Sequence, residues 1–335
     1  MAVDFPKRVI HGGTGKRQRE KTRENVLDFS ASVNPFPPAI DWHCDPADLS
    51  GYPDDTYSEL KERIGAAYAR DPEEICVGNG SIEIIRVFCS VMLGNSRNSR
   101  HFFVEPPTFG EYELSARLAG AEPAANEERA DVRFICNPNN PTGALLRRAE
   151  LLNMLDSVKH HNGILFCDEA FIGLADEKES LVDIQDPHLF VLHSLTKSFA
   201  VPGLRIGFGF GDRDLVEKIE TARSPWCVNA YAEAFAMEAL LHLGELADSR
   251  KAVAKERNRL VSAITSLDLS SYPSSVNYLL VECGRDVSVL CETLARKNIL
   301  VRNCTSFGLP TCIRIAVRTP EENTRLLEVL GSCVR

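Results

Sequence analysis

Residues 193–208 read HSLTKSFAVPGLRIGF, and the interpretation of the whole chain starts from this stretch. It follows an apolar run whose composition is typical of a buried strand. Lys197 stands beside the hydroxyls of Ser194 and Thr196, and Arg205 comes eight positions later. Hydroxyl and guanidinium groups are donors suited to a phosphate. A lysine next to a phosphate site is what the covalent attachment of pyridoxal phosphate requires.

Two motifs upstream carry groups that suit the same cofactor. Residues 137–143 read NPNNPTG, which is a turn by composition, and the side-chain amide of Asn140 can donate to a phenolic oxygen. Residues 167–171 read CDEAF and follow another apolar run. A carboxylate at the end of a buried strand needs a partner, and a pyridinium nitrogen would be that partner for Asp168. Ligands of open α/β sheets bind at the carboxyl ends of strands, so these motifs are expected to face one crevice.

The rest of the chain alternates short apolar runs with helical patterns, which is typical of an α/β architecture. Candidate strands are Glu74–Val77, Phe102–Glu105, Val132–Cys136, Ile164–Cys167, Phe190–His193 and Arg205–Phe210, followed by strand-like Asn277–Glu282, Leu300–Asn303 and Ile313–Val317. Candidate helices are Ser58–Arg70, Ile82–Leu93, Gly110–Leu118, Arg148–His160, Pro225–Leu243, Ser249–Leu267, Val287–Lys297 and Glu321–Leu330. We expect residues 45–235 to form a large domain and residues 236–335 a small α+β domain. Residues 1–44 are expected to form an arm that joins the small domain.

The composition is that of an ordinary globular protein. The chain has 335 residues, of which 44% are hydrophobic and 25% charged, which excludes a disordered or collagen-like chain. Its 38 basic and 47 acidic residues give a net charge of −9, and an acidic chain is a poor candidate for binding nucleic acid. The sequence has no apolar run long enough to span a membrane and no apolar segment typical of a signal peptide. We therefore expect a small-molecule partner, with no role for nucleic acid or membrane.

Eleven cysteines are scattered singly, several of them within apolar runs. They form no CxxC pair, and no Cys/His spacing fits a zinc site. This pattern predicts reduced, mostly buried thiols in a cytoplasmic protein without a metal site. The basic segment Lys16–Arg23 allows two interpretations, a solvated loop or a mobile arm that helps to hold an anionic ligand.

In this order and spacing, NPNNPTG, DEAF and SLTKSFAVPGLRIGF resemble the motifs of fold type I pyridoxal-phosphate enzymes, the aspartate aminotransferase superfamily. The resemblance extends over the whole chain. It implies the fold type I α/β transferase fold, in which helices sandwich a mostly parallel seven-stranded sheet and a small α+β domain is attached. It also implies pyridoxal 5'-phosphate as the cofactor.

The resemblance also assigns roles to individual residues. Lys197 is the implied catalytic residue, and the implied cofactor-binding residues are Gly80, Ser81, Ile82, Phe109, Asn140, Asp168, Ser194, Thr196, Lys197, Arg205 and Tyr52. The backbone amides at 80–82 would hold the cofactor phosphate at a helix N-terminus, and Phe109 would stack on the pyridine ring. Tyr52 would reach the phosphate of the neighbouring subunit, which implies a homodimer with a shared active site. The family usually has DEAY where this chain has Phe171, which leaves Asn140 as the candidate partner of the phenolic oxygen.

Five further residues are implied on the substrate side. Arg314 matches an arginine that pairs with the substrate α-carboxylate in a bidentate geometry that lysine cannot copy. Asn34 matches a substrate-side asparagine. Candidates for a substrate phosphate are His11, Arg302 and Arg318.

Two branches of the family compete. Several segments look like L-threonine-O-3-phosphate decarboxylase of cobalamin biosynthesis: HGG at 11–13, LDFSASVNP at 27–35, DEAF, SPWCVN at 224–229, VRNCTSF at 301–307 and IRIAVRT at 313–319. This branch converts L-threonine-O-3-phosphate to (R)-1-amino-2-propanol O-2-phosphate and CO2. The alternative is histidinol-phosphate aminotransferase, which exchanges an amino group with 2-oxoglutarate. Thr14 follows HGG where the decarboxylase usually has Asn, so L-serine phosphate also stays open as a substrate.

Overall fold

The structure is a computed structural model that describes residues 5–13, 25–94 and 99–334. The basic segment Lys16–Arg23 and Thr14 lie outside the described residues, so both interpretations of that segment stay open. No helix in the described part of the chain is both long and apolar enough to cross a membrane.

Thirteen strands and ten helices are labelled here in chain order. The strands are β1 (Leu27–Asp28), β2 (Ile75–Gly78), β3 (His101–Val104), β4 (Glu122–Pro123), β5 (Val132–Cys136), β6 (Ile164–Asp168), β7 (Leu189–His193), β8 (Gly207–Phe210), β9 (Ser270–Ser271), β10 (Tyr278–Glu282), β11 (Ile299–Leu300), β12 (Arg302–Asn303) and β13 (Cys312–Ala316). The helices are α1 (Ser58–Tyr68), α2 (Ser81–Leu93), α3 (Glu111–Leu118), α4 (Arg148–Lys159), α5 (Leu195–Ser198), α6 (Arg213–Ala222), α7 (Ala230–Ala239), α8 (Leu246–Thr265), α9 (Ser288–Arg296) and α10 (Pro320–Val334). Short 3-10 turns lie at Pro46–Leu49, Pro72–Glu74, Glu127–Arg129, Ile172–Leu174, Glu177–Glu179, Leu240–Glu245 and Thr305–Phe307.

A seven-stranded sheet organises the large part of the molecule, in the order β2-β8-β7-β6-β5-β3-β4. The strands from β7 to β4 are parallel, and β8 runs antiparallel to both of its neighbours. This mostly parallel sheet confirms the predicted fold class. Because β5, β6 and β7 are parallel and adjacent, the segments that follow them leave the sheet at the same edge.

Apolar side chains cover both faces of this sheet. On one face, Leu60, Ile64 and Leu155 pack with the inward-facing side chains of the strands. On the other face, Phe88 contacts Phe166 with ring centroids 4.7 Å apart. Coverage on both sides explains why the strands are apolar on both faces, as the sequence predicted.

The last third of the chain forms a separate antiparallel sheet in the order β12-β13-β10-β9. Helices α8, α9 and α10 contribute to its apolar core, which also includes Phe29 from the N-terminal part of the chain. Strand β1 pairs in parallel with β11. The domain boundaries at 44/45 and 235/236 stay a prediction.

Several elements differ from the sequence prediction. Helix α6 was missed, although Asp212 caps it and its buried face is Leu215, Val216 and Ile219. The two-residue strands β1, β4 and β9 were also missed. The predicted helix 225–243 begins only at 230, because the Asn229 side chain accepts from the backbone N–H of Ala232 and acts as the N-cap. The strand predicted from Arg205 begins at Gly207, because Arg205 itself has a φ of +64°.

Candidate active site

A cavity of about 570 Å³ lies at the edge of the large sheet where β5, β6 and β7 end. The predicted site residues that line it are His11, Ser81, Ile82, Phe109, Asn140, Asp168, Thr196, Lys197, Arg205, Arg314 and Arg318. Residues 28–33 of the N-terminal part close another side of it. Along the sequence these residues are up to 300 positions and more apart, so it is the fold that brings them together.

Lys197 lies in the short helix α5, directly after β7. Burial, followed by the charges of Arg314 and Arg205, lowers the pKa of its amine to about 8. Its Nζ lies 5.9 Å from the centroid of the Phe171 ring. An amine whose pKa lies close to neutrality can serve both as a nucleophile and as a proton donor.

Asp168 ends β6 and is only 4% exposed. Burial raises the pKa of its carboxyl, while hydrogen bonds from the hydroxyl of Tyr112 and the backbone of Ala170 oppose that shift. The Tyr112 hydroxyl donates to Asp168 Oδ2 at 2.7 Å, and the Ala170 N–H donates to Oδ1 at 2.9 Å. The carboxyl group is therefore fixed in orientation at the cavity wall.

Gly80 is the N-cap of helix α2 and has a φ of +77°. A Cβ built there would lie 2.2 Å from Arg205 Nη2. The guanidinium of Arg205 therefore packs against the N-terminus of the helix. No side chain caps this helix, and the backbone N–H groups of Ser81 and Ile82 at its start form an anion site. The N–H of Gly80, which was also predicted for the phosphate, donates to the carbonyl of Gly78 at 2.7 Å. Arg205 forms no ion pair with any residue that the structure describes. This cradle can take a phosphate.

Arg314 lies in β13 and is 7% exposed. It donates through Nη1 to Asn140 Oδ1 and through Nη2 to the carbonyl of Ser30 at 3.0 Å. Its Nε is buried without a hydrogen-bond partner, and the residues described here place no carboxylate on it. A buried guanidinium without an anion is expensive, which makes it a receptor for an anionic ligand.

Three further basic side chains lie near this arginine. His11 lines the cavity, and its Nε2 lies 2.8 Å from Glu111 Oε1. Arg318 also lines the cavity, and Glu322 binds its guanidinium at 2.7 and 3.0 Å. Arg302 lines a smaller adjoining cavity of about 60 Å³ that it shares with His11 and Arg314.

The family of this chain follows from its similarity to known proteins. A model of the family described as aminotransferase class I and II matches residues 24–330. This chain belongs to that family. The predicted superfamily is thereby confirmed, and so is the predicted cofactor, pyridoxal phosphate.

Individual relatives carry two different names. A protein of Caldanaerobacter subterraneus subsp. tengcongensis named "Putative threonine-phosphate decarboxylase" is 32% identical over 91% of this chain and 92% of its own length. A histidinol-phosphate aminotransferase of Symbiobacterium thermophilum is 30% identical over 95% of this chain and 93% of its own. The solved histidinol-phosphate aminotransferase of Clostridium acetobutylicum superposes with a TM-score of 0.81 at 26% identity, covering 92% of this chain and 99% of that one.

The residues of this class I and II family member fit the cofactor. The cradle of Gly80 and Arg205 suits its phosphate, and the buried Asp168 suits its ring nitrogen. Lys197 lies in the same cavity, where its amine would form the covalent attachment, and the half-buried ring of Phe109 lines the wall. The described residues contain no cluster of three or more side chains that could hold a metal ion.

Other predicted residues lie outside the main cavity. Ser194 hydrogen-bonds Thr196 Oγ1 at 2.8 Å behind the cavity wall. Asn34 is 2% exposed, and its side-chain amide donates to the carbonyl of Ser198 at 2.7 Å. Tyr52 is 81% exposed and stacks on Trp226 with ring centroids 4.3 Å apart. The structure thus brings most of the predicted set together around the main cavity. Gly80 lies against Arg205 and Arg302 lines the adjoining cavity, whereas Ser194, Asn34 and Tyr52 line neither cavity.

Sequence reasoning missed two residues at the site. Tyr112 orients Asp168, and Glu111 binds His11. The local pattern FGEY at 109–112 carries no signal for these roles, because the burial of Glu111 and the contacts of both side chains arise only in the folded chain.

Proposed function

We propose that this chain decarboxylates L-threonine-O-3-phosphate, releasing CO2 and (R)-1-amino-2-propanol O-2-phosphate in cobalamin biosynthesis. The grouping of His11 and Arg318 with Arg314 around one cavity carries this proposal. Threonine phosphate bears a carboxylate and a phosphate on one small molecule, so it uses both sets of cations at once. Histidinol phosphate has a phosphate but no carboxylate.

The proposed reaction assigns one task to each side chain. Arg314 binds the substrate carboxylate as a bidentate pair and orients the bond to Cα. Pyridoxal phosphate, when bound, supplies the electron sink that makes this bond weak. The bond between Cα and the carboxylate carbon breaks, CO2 leaves, and its bonding electron pair ends in a new Cα–H bond.

Lys197 is the proposed proton donor to Cα. With a pKa of about 8 its amine is largely protonated near neutral pH, so it has a proton to give. The Phe171 ring, 5.9 Å from Nζ, favours the ammonium form through a cation–π contact.

A parallel assay tests the proposal. Purified holoenzyme is incubated with L-threonine-O-3-phosphate, with L-serine phosphate, and with histidinol phosphate plus 2-oxoglutarate. We expect CO2 from threonine phosphate without any 2-oxo acid acceptor. We also expect Arg314→Gln to lower kcat/KM roughly 30-fold or more, because removing one partner of a buried charged pair costs about 2–5 kcal/mol. Amino transfer to 2-oxoglutarate without CO2 release would instead identify an aminotransferase.

Histidinol-phosphate aminotransferase is the second candidate. Relatives of that name are more numerous than decarboxylases among the similar proteins. L-serine phosphate decarboxylation is tested by the second arm of the same assay.

We also propose that the enzyme is a cytoplasmic homodimer with a shared active site. The exposed Tyr52, which stacks on Trp226, supports this proposal because it does not line the cavity of its own chain.

A further inference from the structure

Glu111 is a buried carboxylate at the edge of the proposed site. It is the first residue of α3, and its side chain is 5% exposed. Its Oε1 lies 2.8 Å from His11 Nε2, and its Oε2 accepts from Arg86 Nη2 at 2.8 Å. Both carboxylate oxygens therefore have a partner, each from a different part of the chain.

These contacts keep Glu111 ionised. The hydrogen bond with His11 is the largest effect that lowers the pKa of its carboxyl, and Arg86 adds to it against the opposing effect of burial. The start of helix α3 also favours a negative charge there. Arg86 is bound on the far oxygen, so the charge of Glu111 does not depend on His11 alone.

The segment that carries His11 is fixed on both sides of the ring. Arg302 Nη2 donates to the carbonyl of Ile10 at 2.7 Å, and the N–H of Gly13 donates to Ser30 Oγ at 2.8 Å. A Cβ at Gly12 would lie 2.3 Å from the carbonyl oxygen of Ser30, so the backbone fits closely here. The ring itself packs at 5.9 Å from the ring of Phe109.

This arrangement leaves one nitrogen of His11 for a ligand. Its Nε2 is used by Glu111, and its Nδ1 makes no hydrogen bond with the residues that the structure describes. His11 lines the main cavity, and it also lines the smaller one, where Arg302 and Arg314 face it. Charged groups close to the ring include the carboxylate of Glu111 and the guanidinium groups of Arg302 and Arg314. The main cavity that His11 lines is also lined by Asp28, Asp168, Lys197, Arg205 and Arg318.

We propose that Glu111 is a specificity-determining positioning residue, which holds His11 so that Nδ1 donates to the phosphate of the substrate. A carboxylate on Nε2 fixes the orientation of the ring and leaves Nδ1 for the phosphate. Arg302, which lines the adjoining cavity with His11, adds positive charge for a dianionic phosphate. The inference rests on the proposed function, because it names the group that recognises the phosphorylated end of that substrate.

Variants of the holoenzyme test this inference. We expect Glu111→Gln and His11→Asn each to raise KM for L-threonine-O-3-phosphate roughly 10- to 100-fold, as for the loss of a charge-assisted hydrogen bond. The value of kcat should change less than about 3-fold, because neither residue touches the bond that breaks. Since Glu111 acts through His11, the double variant should be no worse than His11→Asn alone.

A matched control lies two residues along the same helix. Glu113 is half-exposed and pairs with Arg117 at 2.8 Å, and neither residue lines the cavity. Glu113→Gln should keep the KM of the wild type. Thermal unfolding shows whether Glu111→Gln is folded. His11→Asn removes no buried charge, so this variant tests the site if Glu111→Gln does not fold. Unchanged KM in His11→Asn, or effects that multiply in the double variant, would overturn the inference.

Inorganic phosphate separates this inference from the proposed reaction. We expect equilibrium dialysis of the holoenzyme to show phosphate binding that weakens by a similar factor in Glu111→Gln and His11→Asn. If the wild type releases no CO2 but phosphate binding still depends on both residues, the proposed reaction fails and the inference stands. If CO2 is released but phosphate binds equally well to the wild type and to both variants, the inference fails and the proposed reaction stands.

Discussion

At the scale of single residues, the environment of Lys197 makes a pH prediction. A lysine that is protonated up to about pH 10.4 in water loses its proton near pH 8 here, because burial and the charges of Arg314 and Arg205 disfavour the ammonium form. Only the neutral amine attacks an aldehyde. We expect the rate of covalent cofactor uptake by the apoprotein, followed by visible absorption, to rise about tenfold per pH unit below pH 8 and to level off above it.

The control for this prediction is the variant Lys197→Ala, which should take up no cofactor covalently at any pH. If the rate of cofactor uptake continues to rise up to pH 10, the pKa of the Lys197 amine is not lowered. An unchanged absorption band in Lys197→Ala would mean that a different lysine forms the bond.

The residue scale also shows where sequence reasoning reached its limit. Lys197, Asp168 and Asn140 could be picked out because each lies in a motif that follows a strand. Tyr112 could not, because its role depends on a hydrogen bond to Asp168, 56 positions away. The same holds for Glu111, because its partner His11, itself a predicted site residue, lies 100 positions away. Local patterns identify groups that carry chemistry, whereas the partners that orient them depend on tertiary contacts.

At the scale of elements, the start of helix α2 makes the next prediction. Gly80→Ala should weaken cofactor binding at least roughly tenfold, since the new Cβ would collide with Arg205 Nη2 and displace the guanidinium from the cradle. The dissociation constant of pyridoxal phosphate, titrated into apoprotein, measures the effect.

A second glycine supplies the control. Gly120 has a φ of +90°, comparable with +77° at Gly80, but a Cβ there would meet nothing within 4 Å. Gly120→Ala therefore introduces the backbone strain of about 1 kcal/mol without a collision. Equal cofactor affinity in the two variants would show that strain, not the position of Arg205, controls binding.

Elements were predictable to the extent that their patterns were local. The buried strands β5, β6 and β7 were found with errors of one residue or less at each end, because their apolar runs are bounded by turn residues. No local sequence pattern predicts that β8 lies antiparallel between β2 and β7, because strand order depends on pairing between segments that are distant in the sequence. Helix α6 did have a signal, the Asp212 cap followed by apolar residues at helical spacing, and the prediction overlooked it.

At the scale of the whole molecule, net charge and local charge differ in sign. The chain carries −9, yet Lys197, Arg205, Arg314 and Arg318 line one cavity. Of these, Arg318 is neutralised by Glu322, while the guanidinium groups of Arg205 and Arg314 form no ion pair with the described residues. The acidic total argues against nucleic acid, and the cavity is suited to a ligand with two anionic groups.

The assembly of two chains makes the last prediction. If Tyr52 reaches the cofactor phosphate of a partner subunit, Tyr52→Phe removes one hydrogen bond to a charged group and should weaken cofactor binding roughly tenfold. The matched control is Tyr272→Phe, since Tyr272 is also exposed, at 43%, and lines none of the cavities around the site. Sedimentation should show a dimer for the wild type and both variants. A monomeric wild type, or equal affinities in the two variants, would contradict a shared active site, because an isolated chain leaves Tyr52 exposed and stacked on Trp226.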